Sequence, residues 1–461
     1  MGEKIYMGTT PKIFQLAGMT PEKALIASPS PGWGVAGSYV IPGVNEGFPW
    51  LEFGKDKSIQ LKEDASVVGQ AFSAPSRLTG YRVDNPLNFL ARFDSLNYPY
   101  FWMMGFENKV KTIIVCTSTA GFTGAGLPVA LDDSFSDGAG NDFSYLRSVT
   151  MKTLTAEPVT YHYFVAFDAA PATTATLTHG SGGTAIQLIL SACSTLLYEH
   201  IFEFDGKNRT YRDYTADEIL QIDGYTSGDK KNLAATLGLR MSDYDFLFPN
   251  SICKNFTYNV KGEDMAMWET NFCSSDQLRD TGLLDDVTFI PELMDNFNVP
   301  AHYQHGFYLG TTLANMSELC ITDMSIKTEI TLAELQTMCS GLHIAEPKLS
   351  NKYKITGSMM IPFHDAETYM TYRDAQSRLC GTLRANQGWK SLEFLFKRIT
   401  LNKSGPDSGD IAAEPIEFEV SRCPASEDVF ADTLGSTQVY DNSPFCLRVV
   451  NATSTNAMRL V

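Results

Sequence analysis

The sequence predicts a mainly β fold in which one pattern of elements occurs twice and a further β-rich segment is set into the first copy. Three observations predict it. Short runs alternate apolar with polar residues, the period of a half-buried strand. Long runs at helical spacing are scarce. The order strand, strand, helix, strands also begins again past the middle of the chain, where Ile326 echoes Ile59 and Gly357 echoes Gly80.

The elements follow in order. Residues 1–46 contain SPSPGWGVAG, too rich in Pro, Gly and Ser to build a core, and read as an extended arm. Residues 47–275 form the first unit. In Ser58–Lys62 the alternation puts Ile59 and Leu61 on one face. Asn85 before Pro86 is a helix-start signature, and Leu87, Leu90 and Ala91 share one helical face, so a helix is expected over 86–93. Residues 106–196, rich in Thr, Ala, Ser and Gly, predict short strands on an insertion. Strands return at 199–204, and Phe256–Val260 with Met265–Glu269 predicts a hairpin turning on 261–264. Six acids against the single Arg279 over 276–295 read as a solvated acidic linker, extended to 316. In the second unit, 317–450, a strand at 324–330, Ile355-Thr356-Gly357, a helix from near Asp365 through Arg373 and an apolar strand at 392–396 repeat the first order. Residues 451–461 are a tail.

Composition bounds the function. A chain of 461 residues that is 44% hydrophobic is too apolar to stay unfolded. With 36 Lys and Arg against 53 Asp and Glu, net −17, it lacks the clustered cations that hold a phosphate backbone. Nine cysteines with no CxxC spacing read as free thiols in a reducing compartment, and the N-terminal residues show no signal-peptide pattern. The most apolar run, 186–198, is too short to span a bilayer.

Catalytic signatures are weak. His302 and His305 sit at a zinc-like spacing without a Glu or Cys partner and read as a loop pair. Gly180-Ser181-Gly182-Gly183 lacks the strand-turn-helix setting of a nucleophile elbow. Asp132-Asp133 and Asp285-Asp286 are adjacent residues in loops, which do not face one another across a substrate. Trp102, Trp268 and Trp389 read as core or interface anchors.

The strand Ser58–Lys62, the Thr79-Gly80 to Pro86 entry into one helix, the hairpin Phe256–Phe272, their counterparts at Ile355-Thr356-Gly357 with its helix, and the closing strand Ile416–Val420 together resemble the tail tube (major tail) proteins of long-tailed bacteriophages. The likeness is one of pattern and order, over 47–275 and 317–450. It implies two tandem β-sandwich or small-barrel domains, each with one flanking helix, whose strands join those of neighbours around a lumen. It implies a structural subunit rather than an enzyme, without cofactors, forming trimeric pseudo-hexameric rings in a virion tail assembled in the host cytoplasm. Its implied partners are copies of itself, other tail proteins and viral DNA in transit without specific binding, with no membrane.

A DNA conduit should be lined by acidic or neutral residues, because like charge keeps a polyanion sliding. In Ile416–Val420, Glu417 and Glu419 lie opposite Ile416, Phe418 and Val420, and are the expected lumen residues, with Asp407 and Asp410 in the adjoining loop. The same acids facing outside solvent is an equal alternative. Two rival functions stay open: a capsid or decoration protein, and a carbohydrate-binding or carbohydrate-cleaving adsorption protein.

Overall fold

The structure is a computed structural model, described for residues 17–21, 41–43, 46–47, 49–62, 77–94, 97–108, 110–124, 127–152, 158–166, 170–172, 175–179, 186–204, 212–213, 230–231, 234–241, 244–288, 298–333, 348–349, 353–362, 371–374, 377–404, 413–424, 427–430 and 443–454. It is mainly β. Twenty-four strands form one hydrogen-bonded system, and all their pairings are antiparallel. In chain order these are β1 (Ala17–Pro21), β2 (Glu52–Phe53), β3 (Lys57–Lys62), β4 (Arg77–Leu90), helix α1 (Tyr98–Met104), β5 (Gly105–Glu107), β6 (Lys111–Thr123), β7 (Ser134–Ser136), β8 (Asp142–Lys152), β9 (Pro158–Ala166), β10 (Thr176–His179), β11 (Gln187–Cys193) and β12 (Leu197–Phe204). The remainder are β13 (Ala235–Met241), β14 (Tyr244–Val260), β15 (Met267–Ser274), β16 (Leu278–Asp280), β17 (His305–Gly310), β18 (Ser317–Leu319), β19 (Asp323–Glu329), β20 (Lys354–Pro362), β21 (Leu379–Gln387), β22 (Lys390–Ser404), β23 (Ala413–Val420) and β24 (Phe445–Asn451).

Two long strands organise the whole. The first half of β14 pairs with β13 and the second half with β15; Asn250, in the left-handed region at φ 53°, and a register shift after Cys253 mark the bend between them. In the same way β22 pairs first with β21 and then with β23. Each therefore passes from one sheet layer to another. The rings of Tyr258 and Trp268 reach Phe394 at 4.7 and 5.7 Å, so one buried cluster runs from Phe53 to Val449.

Where a helix is expected over 86–93, the chain is strand to Leu90 and irregular over 91–93. Leu87, Phe89, Ala91 and Phe93 are buried in alternation, a period of two that the sequence also contains and that pairing to β15 selects. Asn85 is no cap: its side-chain amide bonds the N–H and the C=O of Asp56 at 2.9 and 3.0 Å, standing in for strand pairing where β2 and β3 are interrupted. The helix lies later, at Tyr98–Met104, entered through Asn97 at φ 61° and closed by Gly105 at φ 101°, whose N–H bonds the Phe101 carbonyl. Most of its side chains are buried, and Trp102 Nε1 donates to the Ser251 carbonyl at 2.9 Å. In the second half Thr371–Asp374 is helical, and 363–370 lie outside the described residues.

Within the insertion six strands close on themselves in the order β6, β9, β8, β7, β10, β11 and back to β6. Ile114, Phe135, Phe143, Phe164, Leu177 and Leu188 fill this barrel. It docks through Trp389, 5.9 Å from the Tyr161 ring, and through a buried ionic cluster. There Arg147 of the barrel pairs with Glu199, Arg448 reaches Glu393 at 2.8 Å and Glu199 at 3.7 Å, and Arg384 holds Glu393 at 2.5 Å.

Where it is described, the segment read as an acidic linker exposes Asp280, Asp285 and Asp286 to solvent but packs its apolar residues against the sheet. β16 pairs with Asp245–Leu247, and Leu284 and Val287 are buried against Leu247, while Arg240 binds both Asp245 and Asp285. Two apolar residues among the acids, Leu284 and Val287, set its position. Of the N-terminal arm, Ala17–Pro21 adds a strand to the edge of β13, and 22–40 lie outside the described residues.

Candidate functional site

The feature with the most functional content is a single run of strands, β2, β4, β15, β14, β19, β20, β23 and β22, in that spatial order. One residue row crosses it on the inner face: Phe53, Leu87, Thr270, Phe256, Thr328, Ile355, Val420 and Ile399, all buried. The adjacent row, Glu52, Asn88, Glu269, Thr257, Lys327, Thr356, Glu419 and Thr400, points the other way, and none of it is buried. Strand alternation alone generates this separation, one apolar face and one polar face over the full width.

Glu417 is exposed and Glu419 half-buried on that polar face, while Ile416, Phe418 and Val420 are buried. Their strand places Glu417 beside Ser358 and Glu419 beside Thr356. Asp407 and Asp410 lie outside the described residues. The face is mixed in charge rather than purely acidic. Lys327 binds Glu329 at 2.7 Å, and this bond, with the attraction behind it, holds the Glu329 carboxyl below its ordinary value. Lys254 and Arg82 both bind Asp84, at 2.6 and 3.2 Å. Lys327, Lys254 and Arg82 thus already have carboxylate partners. Lys327–Glu329 and Arg82–Asp84 are two residues apart on one strand face, whereas Lys254 and Asp84, 170 residues apart, meet only through the fold.

The seam between β14 and β19 lies in the middle of the run. Asn255 to Val260 pair with Glu329 to Met324, Ser325 Oγ and Asn259 Oδ1 are 2.8 Å apart, and the Gly262 N–H donates to Asp323 at 2.9 Å. At the two ends, among the described residues, β2 and β3 pair only with β4, and residues 400–404 of β22 pair only with β23. These are open edges.

The catalytic candidates do not converge. His305 is not a surface loop residue: it starts β17, and its ring is held between the Ala301 carbonyl at 2.8 Å and the Tyr258 hydroxyl at 2.9 Å. Burial, only partly countered by that carbonyl, pushes it down to about 4. Asp133 caps the Ala130 N–H within its own turn, Asp285 binds Arg240, and 180–185 lie outside the described residues. Burial raises the carboxyls of Glu199 and Glu393, yet the surrounding guanidinium groups outweigh it and hold both below the ordinary range. Among the described residues no three His, Cys, Asp or Glu side chains group as metal ligands, and no helix is long and apolar enough to cross a membrane. No protein-family model matches the chain, and no curated protein matches it significantly.

Proposed function

We propose that this chain is a self-assembling structural subunit of a phage tail tube, in which stacked rings form a conduit for DNA. The observation that carries the reading is the β14–β19 seam. It splits the run into two sets of four strands, β2–β4–β15–β14 and β19–β20–β23–β22, each ending on a strand that bends between layers. On this reading the chain is two tandem tube-like domains, and the joint that β14 makes with β19 is the template for a joint between chains. The free edge of β22 receives β2 and β3 of the next copy. An unpaired strand edge is a liability that closure removes. Three chains close a ring of six pseudo-equivalent units. The polar face then lines the lumen, with Glu52, Glu269, Glu417 and Glu419 toward the DNA and Lys327, Lys254 and Arg82 occupied by acids.

Negative-stain imaging of the purified protein tests this: rings or hollow tubes are expected, and shells or compact single particles refute it. An amine cross-linker applied to a mixture of isotopically light and heavy chains tests the joint itself. Mixed-isotope links between Lys55, Lys57 or Lys62 and Lys403 are expected, and their absence from assembled material would remove the proposed edge.

A further inference from the structure

The barrel contains two thiols placed to react with one another. Cys116 on β6 and Cys193, the last residue of β11, are direct cross-strand partners, and their Sγ atoms lie 2.6 Å apart. Unbonded heavy atoms normally rest roughly 3.5–4.0 Å apart, and a disulfide needs about 2.05 Å. Directly opposed residues of an antiparallel pair have Cα separations of about 4.5–5.5 Å, inside the range a disulfide spans. The β6–β11 ladder is also irregular, with register shifts on either side of Leu190, and the Thr117 and Ser191 hydroxyls lie 2.9 Å apart across it.

We infer that Cys116 and Cys193 form an intramolecular disulfide under oxidising conditions and that this bond staples the seam on which the barrel closes. Cys193 is half-exposed and Cys116 buried, which orders the steps. The Cys193 thiolate attacks a small-molecule disulfide, RSSR, and one RS⁻ leaves. The Cys116 thiolate then attacks Cys193 Sγ and displaces the second RS⁻. Two thiols lose two electrons to RSSR, and their two protons end on the two released RSH. Contact with Cys116 holds the Cys193 thiol below its ordinary value, and the same contact together with burial raises Cys116, consistent with Cys193 reacting first. The other described cysteines serve as internal controls: Cys253, Cys273, Cys380, Cys423 and Cys446 are buried, and Cys320 is exposed.

The test treats the native full-length chain carrying Cys320→Ser with oxidised glutathione, then digests it without reductant for mass spectrometry. A peptide pair linking Cys116 to Cys193 is expected, lighter by about 2 Da than the sum of its thiol forms, with the link reversed by dithiothreitol. Adding Cys116→Ser should trap the glutathione adduct on Cys193; adding Cys193→Ser instead should leave Cys116 fully alkylatable after unfolding. Amide exchange in β6 and β11 should slow at least about tenfold in the cross-linked form. A persistent glutathione adduct on Cys193 when Cys116 is present, or both thiols alkylated at full stoichiometry after oxidation, overturns the bond. A bond that forms with unchanged exchange overturns the staple.

Discussion

Replacing Glu393 with Gln removes one carboxylate from a cluster where Arg448 and Arg384 both bind it and Arg147 and Glu199 complete the charge. Burial alone would raise this carboxyl, but the three guanidinium groups hold it at about 2 against an ordinary 4.5. The gap corresponds to roughly 3 kcal/mol of folding stability. Because the folded value is the lower one, the unfolded chain takes up a proton that the folded chain refuses between these limits. The contribution is fully present above pH 4.5 and is lost as pH falls toward 2. At neutral pH the variant also leaves buried cations short of a partner, a change that costs about 3–5 kcal/mol. Urea unfolding followed by tryptophan fluorescence, with Trp389 at the barrel junction as a reporter, should give a large gap between wild type and variant near pH 7 that narrows steadily below 4.5. A gap below about 1 kcal/mol at neutral pH, or one that stays constant down to pH 2, would refute the reasoning.

Gly357 faces the ring of Phe418 on the neighbouring strand with no room for a Cβ, so Gly357→Ala should lower stability by about 1–3 kcal/mol in denaturant titrations, and Phe418→Leu in the same chain should restore part of it. Deleting residues 1–46 strips Ala17–Pro21 from β13; light scattering should show self-association through the bared edge, along with loss of tube formation if the arm also reaches the next ring. Replacing Glu417 and Glu419 with Lys should leave stability within about 0.5 kcal/mol, since neither is buried, while DNA passage through assembled tubes slows as the wall gains phosphate-binding charge. Wild-type ejection rates in tubes of the double variant would contradict a lumen position for these two carboxylates.

Period-two alternation was legible in Ile416–Val420 and in the hairpin around 261–264, both read correctly from sequence. It misled at 85–93, where Leu87, Leu90 and Ala91 fit a helix as well as Leu87, Phe89, Ala91 and Phe93 fit a strand, and only partners distant in the chain decide between them. The true helix, Tyr98–Met104, is apolar on nearly every side, so it carried no amphipathic signal. The polar face was half-legible. Each strand displayed its own acids, but the row from Glu52 to Thr400 exists only through register between strands up to hundreds of residues apart. Acid density at 276–295 outweighed the apolar Leu284 and Val287 in the sequence, whereas in the fold these two set the position of the segment.

The barrel enters and leaves its host through neighbours. β12 pairs with β5 through Phe202 and Glu107, and with β6 through Leu197 and Ile113, so the two ends of the insertion lie side by side. Such a neck is a natural site for exchange: a different module, or a short turn, can be grafted between Ile113 and Leu197 without moving the strands that flank it. The docking surface limits which grafts succeed. Glu199, Glu393 and Arg448 rely on Arg147 from the barrel's docking face, so a replacement must bring a cation to the same place, or the host must surrender these charges together with the module. Lineages that trade this module should therefore change both sides of the junction at once.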